Sequence, residues 1–139
     1  CGWRHLVGWL HWDRTLSEAF ERGIKKRRQV MGDAFVDRAL ANMTELTAPM
    51  QDMVSRIAWD EIWNRQALSD RERSLINLGM IAALNRPVEF KGHVRGALNN
   101  GVSPEEIRDV CLQIAVYCGF PAGLDALRLA MEIIEEHSA

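Results

Sequence analysis

The sequence has little of what marks several specialised classes of protein, and each absence excludes one class. No apolar run approaches the length of about 20 residues that crosses a bilayer, so we expect no transmembrane helix and no membrane partner. The net charge of -2 provides no basic surface, so we expect no nucleic-acid partner. Three cysteines without a regular spacing form no disulfide framework. This pattern is typical of a reduced, cytoplasmic protein.

The first 14 residues differ from the rest of the chain. They do not have the composition of a secretory signal, because Arg4, His5 and His11 interrupt their apolar character. The segment also carries three tryptophans, and two interpretations stay open: a remnant foreign to the domain, or an arm that packs on a neighbouring subunit. We therefore predict an N-terminal extension or remnant at 1–14, followed by one domain at 15–139.

Apolar residues recur at helical spacing through that domain, and no segment alternates with the period of two that is typical of a strand. Thr15 or Ser17 is expected to cap the first helix, and Ser69 a later one. The order Ser103-Pro104-Glu105-Glu106 is that of a capping box. The sequence therefore predicts an all-α fold, a compact bundle of about six to seven helices.

The run from Leu75 to Leu84 is apolar at almost every position, with Asn77 the exception. A helix that is apolar on all sides is expected to be buried on all sides, either centrally or between subunits. A small domain covers such a helix poorly, so we predict an oligomer.

Two residues able to move protons share one predicted helix. Pro87 suits the first turn of this helix, and Gly101 suits the position just past its end. Glu89 and His93 are four residues apart, so their side chains lie on one face. The alternative interpretation is a surface pair, with the Glu89 carboxylate stabilised by the helix dipole. No third metal ligand follows in a recognisable spacing, and we find no phosphate-binding glycine loop, so we predict neither a metal nor a cofactor.

Other segments stand around this helix in a characteristic order: Trp59–Trp63, Leu68–Leu75, Glu89–Gly101, Ile107 and Tyr117–Ala122. Together they resemble the 4-carboxymuconolactone decarboxylase family, from about Ala19 to Glu136. The resemblance implies a small all-helical enzyme, a ring of six subunits. It also implies cofactor-independent decarboxylation of 4-carboxymuconolactone to 3-oxoadipate enol-lactone in protocatechuate (β-ketoadipate) catabolism, because the unsaturated lactone accepts the electron pair that CO2 leaves behind.

This chemistry suggests a role for each candidate residue. His93 is the expected proton donor, and Glu89 is expected to orient its imidazole and keep it protonated. Arg73 is our first choice for binding a substrate carboxylate, because a guanidinium binds a carboxylate bidentately. Further substrate-binding candidates, each with a purely structural alternative, are Arg86 and Arg95 for a carboxylate, Tyr117 for the lactone carbonyl, and Trp59, Trp63 and Phe120 for apolar walls. Arg71 and Arg108 are expected in surface ion pairs.

Two other functions remain as alternatives. Thiol peroxidase relatives carry Cys-x-x-Cys with a histidine four residues after the second cysteine, and Arg86, Glu89 and His93 occupy the equivalent positions in this chain. The remaining thiols, Cys111 and Cys118, are seven residues apart and lack the spacing of a redox pair, and we expect Cys118 to be buried. The third interpretation is a helical oligomer that has lost the chemistry.

Overall fold

The computed structural model describes residues 14–139, with side chains from residue 18 onward, so the predictions for residues 1–13 lie outside the described part. No strand occurs in these residues, and the predicted all-α fold is confirmed. None of the helices in this range is long and apolar enough to cross a membrane. The described helices are α1 (Arg14–Met31), α2 (Asp33–Ala41), α3 (Ala48–Met53), a π-helix (Val54–Ile62), α4 (Asp70–Ala83), α5 (Pro87–Asn99), α6 (Pro104–Cys118) and α7 (Phe120–Ser138).

The chain divides into two compact units, the first ending at Gln66 and the second beginning at Ala67. In the first unit, α1 packs along the π-helix, which continues directly from α3. Gly23 on α1 allows this close packing, because a Cβ at that position would lie 1.8 Å from the Ser55 carbonyl oxygen. The predicted cap at Thr15 or Ser17 is wrong, because both residues lie within α1.

The second unit contains α4 to α7 around one apolar core, in which Leu78, Phe90 and Ile107 are among the buried residues. Both predicted serine caps are confirmed. Ser69 accepts a hydrogen bond from the Glu72 backbone N–H and Ser103 one from the Glu106 N–H, and each glutamate side chain completes a capping box. Local sequence therefore decides where α4 and α6 begin.

Within the single chain the apolar run is not buried on all sides, so a central position is wrong, and the alternative, burial between subunits, stays a prediction. Leu78 is fully buried, but Ile76 and Met80 on the same helix are 45% and 52% exposed. Only one face of α4 packs on the core of the second unit, and the opposite face remains apolar and open.

Candidate active site

The helix that carries Glu89 and His93 begins and ends as the sequence predicts. Arg86 lies at the N-cap position of α5, Pro87 is in its first turn, and Gly101 adopts a φ of +86° just beyond its end. The short link from α4 includes Asn85, whose φ of 55° lies in the left-handed region. This tight turn brings the end of α4 back to the start of α5.

His93 packs against α4. Its Nδ1 atom lies 3.5 Å from Nδ2 of Asn77, at the outer limit of a hydrogen bond. The imidazole is half-buried, whereas Glu89, one turn earlier, is exposed. Among the described residues, no hydrogen bond or ion pair joins Glu89 to His93, and the polar contact recorded for the ring is the one with Asn77. The sequence flagged Asn77 as the polar exception in its run but assigned it no role.

Burial controls the protonation of His93. It lowers the pKa of the imidazole below its ordinary value of 6.5, and the negative charge of Glu89 raises that pKa by a smaller amount. The charge of Glu89 thus acts in the expected direction, but the cost of desolvating the charged ring exceeds it, so the net shift of the His93 pKa is downward.

The three candidate arginines have different surroundings. Arg73 is half-buried on α4, four residues before Asn77, and therefore on the same side of that helix. Arg86 is exposed, less than one turn before Glu89. Arg95 lies roughly 200° around α5 from His93 and donates to Glu136 on α7 at 2.9 Å. Arg95 therefore turns towards α7, whereas Arg73 lies on the side of α4 that carries Asn77 and Arg86 lies at the start of the helix that carries Glu89 and His93.

The predicted surface ion pairs are also present. Arg71 pairs with Glu106, and Arg108 pairs with Asp109 at 3.1 Å. Neither arginine is thus placed to bind a substrate carboxylate without first losing a carboxylate partner.

Two cavities open on the second unit. The first, of about 370 Å³, lies between the start of α5 and the start of α7 and is lined by Arg86, Phe90, Asp125 and Arg128, among others. The second, of about 500 Å³, is an apolar groove between α4 and α6 that includes Met80 and Tyr117. Among the described residues, the linings of both cavities omit Glu89 and His93. The fold therefore assigns Arg86 and Tyr117 to different cavities, neither of which contains the imidazole.

The two tryptophans belong to the first unit. Trp59 and Trp63 are each 6% exposed, and their rings stack with centroids 5.1 Å apart. They contribute to the core of that unit, and their role as walls of a substrate site stays a prediction. Phe120, the first residue of α7, is largely exposed.

The two thiols of the second unit differ sharply. Cys111 is buried, which raises its pKa to about 11 and disfavours the reactive thiolate. Cys118 is exposed, so the prediction that it is buried is wrong. It is the last residue of α6, before the chain turns at Gly119 with a φ of +102°, and it borders the open groove with Tyr117. Among residues 18–139, no group of three or more His, Cys, Asp or Glu is arranged to hold a metal ion.

Comparison with known proteins identifies the family of the chain. A profile of the carboxymuconolactone decarboxylase family matches residues 48–132. The chain is 40% identical over 124 residues to nitrosuccinic acid decarboxylase of Metarhizium robertsii, a match that covers 89% of this chain and 87% of the relative. It is 33% identical over 119 residues to 4-carboxymuconolactone decarboxylase of Acinetobacter baylyi, covering 86% and 89% of the two chains. The chain therefore belongs to the carboxymuconolactone decarboxylase family.

Proposed function

We propose that this protein removes CO2, without a cofactor, from a small dicarboxylic acid that accepts the resulting electron pair within its own structure. Similarity to two decarboxylases over more than four fifths of the chain is the observation that carries this proposal. The half-buried imidazole of His93, with a carboxylate one turn away, supports it, because decarboxylation of this kind ends in the protonation of a carbon atom.

The first candidate substrate is 4-carboxymuconolactone, to which the order of motifs in the sequence points. Loss of CO2 from this lactone sends the bonding electron pair through the ring double bond to the lactone carbonyl, forming a dienolate. A proton then adds to the ring carbon next to the carbonyl and yields 3-oxoadipate enol-lactone. The pathway that uses this reaction is the protocatechuate branch of aromatic catabolism.

The second candidate substrate is nitrosuccinic acid, favoured by the higher identity to the Metarhizium relative. Here the electron pair of the broken C–C bond moves into the nitro group and forms a nitronate. Proton addition to the former carboxyl-bearing carbon then yields 3-nitropropanoate. Both substrates thus pose the same three tasks: a carboxylate to be held, an anion to be stabilised, and a carbon to be protonated.

We assign these tasks to residues of α4 and α5 and to the N-cap residue of α5. His93 delivers the proton, and the charge of Glu89 partly offsets the effect of burial on the imidazole. Arg73 binds the carboxylate that is retained, with Arg86 as the second cation on this side of α5. Binding of an anionic substrate next to the imidazole raises the pKa of His93, so the substrate itself promotes the protonated state that its reaction requires.

We also propose that the chain forms a homo-oligomer, with the ring of six that the family resemblance implies as the expected state. The exposed apolar face of α4, which includes Ile76 and Met80 and continues at Leu84 just beyond its end, supports this proposal. Exposed Leu112 and Val116 add apolar surface on α6.

The test is turnover of both acids by the purified protein. Freshly prepared 4-carboxymuconolactone is followed by ultraviolet absorbance, nitrosuccinate by NMR detection of 3-nitropropanoate, and both by released CO2. The control for uncatalysed decomposition is the same mixture without protein, and His93→Ala tests the assigned proton donor under the same conditions. Turnover of one acid above that control identifies the substrate. If neither acid reacts faster with the wild-type protein than with the control, the proposal fails.

A further inference from the structure

Asn77 is a polar residue in a position that the apolar pattern of α4 does not explain. The other residues from Leu75 to Leu84 are apolar or glycine, and they form the core face and the open face of this helix. Asn77 is half-buried, so its amide has lost part of its contact with water and requires a polar partner. The partner that the structure records for it among the described residues is the His93 ring, with Nδ2 to Nδ1 at 3.5 Å.

Among the described residues, none of the charged groups around His93 makes a recorded hydrogen bond to its ring. Glu89 on α5 acts on the ring through its charge, without a hydrogen bond within the described part of the chain. On the α7 side of α5, Glu132 pairs with Lys91 and Glu136 pairs with Arg95. Arg73, one turn before Asn77, is the cation on the α4 side.

A carboxamide suits both protonation states of an imidazole. Its NH2 group donates to an unprotonated Nδ1, which leaves the ring proton on Nε2. After a half-turn about the terminal bond, its oxygen accepts a hydrogen bond from the Nδ1–H of the imidazolium. A hydrocarbon side chain offers neither interaction, and a carboxylate offers only the second.

We infer that Asn77 is a positioning residue that holds the Nδ1 side of His93 in both protonation states and leaves Nε2–H directed at the substrate. The catalytic consequence of this inference rests on the proposed function, but the contact itself does not.

The experiment compares Asn77→Leu and Asn77→Asp with the wild-type protein. Histidine ring nitrogens are labelled with 15N, and the tautomer and the titration of His93 are read by NMR, with His93→Gln used to assign its signals. Gln29→Leu is the matched control, because it also replaces an amide by an aliphatic side chain, at an exposed position of α1.

We expect a single neutral tautomer in the wild-type protein, protonated on Nε2. Asn77→Leu should produce a mixture of tautomers, because the neutral ring loses the donor at Nδ1. It should also lower the His93 pKa, because the bond lost by the imidazolium is charge-assisted and therefore stronger than the bond lost by the neutral ring. Asn77→Asp should raise that pKa by about one unit or more, since it adds an opposite charge next to the ring. Gln29→Leu should leave both measurements unchanged. The leucine variant should also lose about tenfold in kcat, a typical loss when the partner that orients a ring is removed, with little change in KM.

Two results would overturn the inference: an Asn77→Leu protein with the wild-type tautomer and titration, or, should that variant not fold, an Asn77→Asp protein whose His93 titrates as in the wild type. A shifted titration with normal turnover of the substrate supports the contact and instead rejects His93 as the proton donor. A failure of the Asn77–His93 contact and a failure of the proposed function are therefore distinguishable.

Discussion

His93 combines a half-buried ring with a carboxylate one turn away, and the two act on its pKa in opposite directions. Burial has the larger effect, so the neutral imidazole is the main form of the free protein at neutral pH. Such an imidazole donates a proton effectively only when a bound anionic substrate or a lower pH keeps it protonated. The pH profile of the reaction is therefore the most informative measurement at the residue scale.

We expect His93→Ala to lower kcat by roughly two to four orders of magnitude, which is the usual contribution of general acid catalysis. Glu89→Gln should be milder and should move the alkaline limb of kcat/KM to lower pH, because it removes the charge that raises the His93 pKa. The double variant should be scarcely worse than His93→Ala, since residues that act as a unit are not additive. Circular dichroism controls for folding. If the losses of kcat in the two single variants multiply in the double variant, Glu89 and His93 do not act as a unit.

The depressed pKa of His93 also predicts how stability depends on pH. Between the folded-state pKa and the unfolded value of 6.5, the unfolded chain binds more protons, so the free energy of unfolding falls as the pH falls through this window. Above 6.5 this contribution is fully present. We expect His93→Gln to lose less free energy of unfolding than the wild type between about pH 7.5 and about pH 5, measured by urea denaturation. An equal loss in both proteins would mean that the folded pKa is not depressed.

The thiols provide a test of the alternative peroxidase function. Cys118→Ser should leave stability almost unchanged because the side chain is exposed, whereas Cys111→Ser should cost roughly 1–3 kcal/mol if the buried hydroxyl finds no partner. Neither variant should reduce kcat of the decarboxylation, because no step of the proposed chemistry uses a thiolate. Loss of turnover in a folded double variant would support the thiol-dependent alternative.

At the scale of the elements, the contact between α1 and the π-helix depends on a single missing side chain. Gly23→Ala introduces a Cβ that would lie 1.8 Å from the Ser55 carbonyl oxygen, so backbone has to move. We expect the free energy of unfolding to fall by about 1–3 kcal/mol or more. The matched control is Gly79→Ala on α4, where a Cβ meets nothing within 4 Å and helix propensity predicts a gain of up to about 1 kcal/mol. Equal effects of the two substitutions would contradict this account of the packing.

At the scale of the whole molecule, the open apolar face of α4 predicts self-association. We expect light scattering to report an oligomer at micromolar concentration. Met80→Glu should weaken it, because a charge would be buried in the interface without a partner. The matched control is Gln29→Glu, which adds the same charge at an exposed position of α1. A stable wild-type monomer would exclude the oligomer.

The sequence alone determined the features that depend on neighbours a few residues apart. The capping boxes at Ser69 and Ser103, the start of α5 at Pro87 and the alignment of Glu89 with His93 all follow from local hydrogen bonding and helical geometry. The family could be identified for a related reason, because its motifs keep their order and separation along the chain.

The tertiary structure alone decided what each helix face meets. The pairing of Arg95 with Glu136 joins residues 41 positions apart, and the contact of Asn77 with His93 requires the turn between α4 and α5. The π winding at Val54–Ile62 accompanies close packing against α1, although the apolar spacing predicted an ordinary helix. The tertiary structure also decided the direction of the His93 pKa shift, because desolvation depends on the packing around the ring. The opposing charge of Glu89 is visible in the sequence.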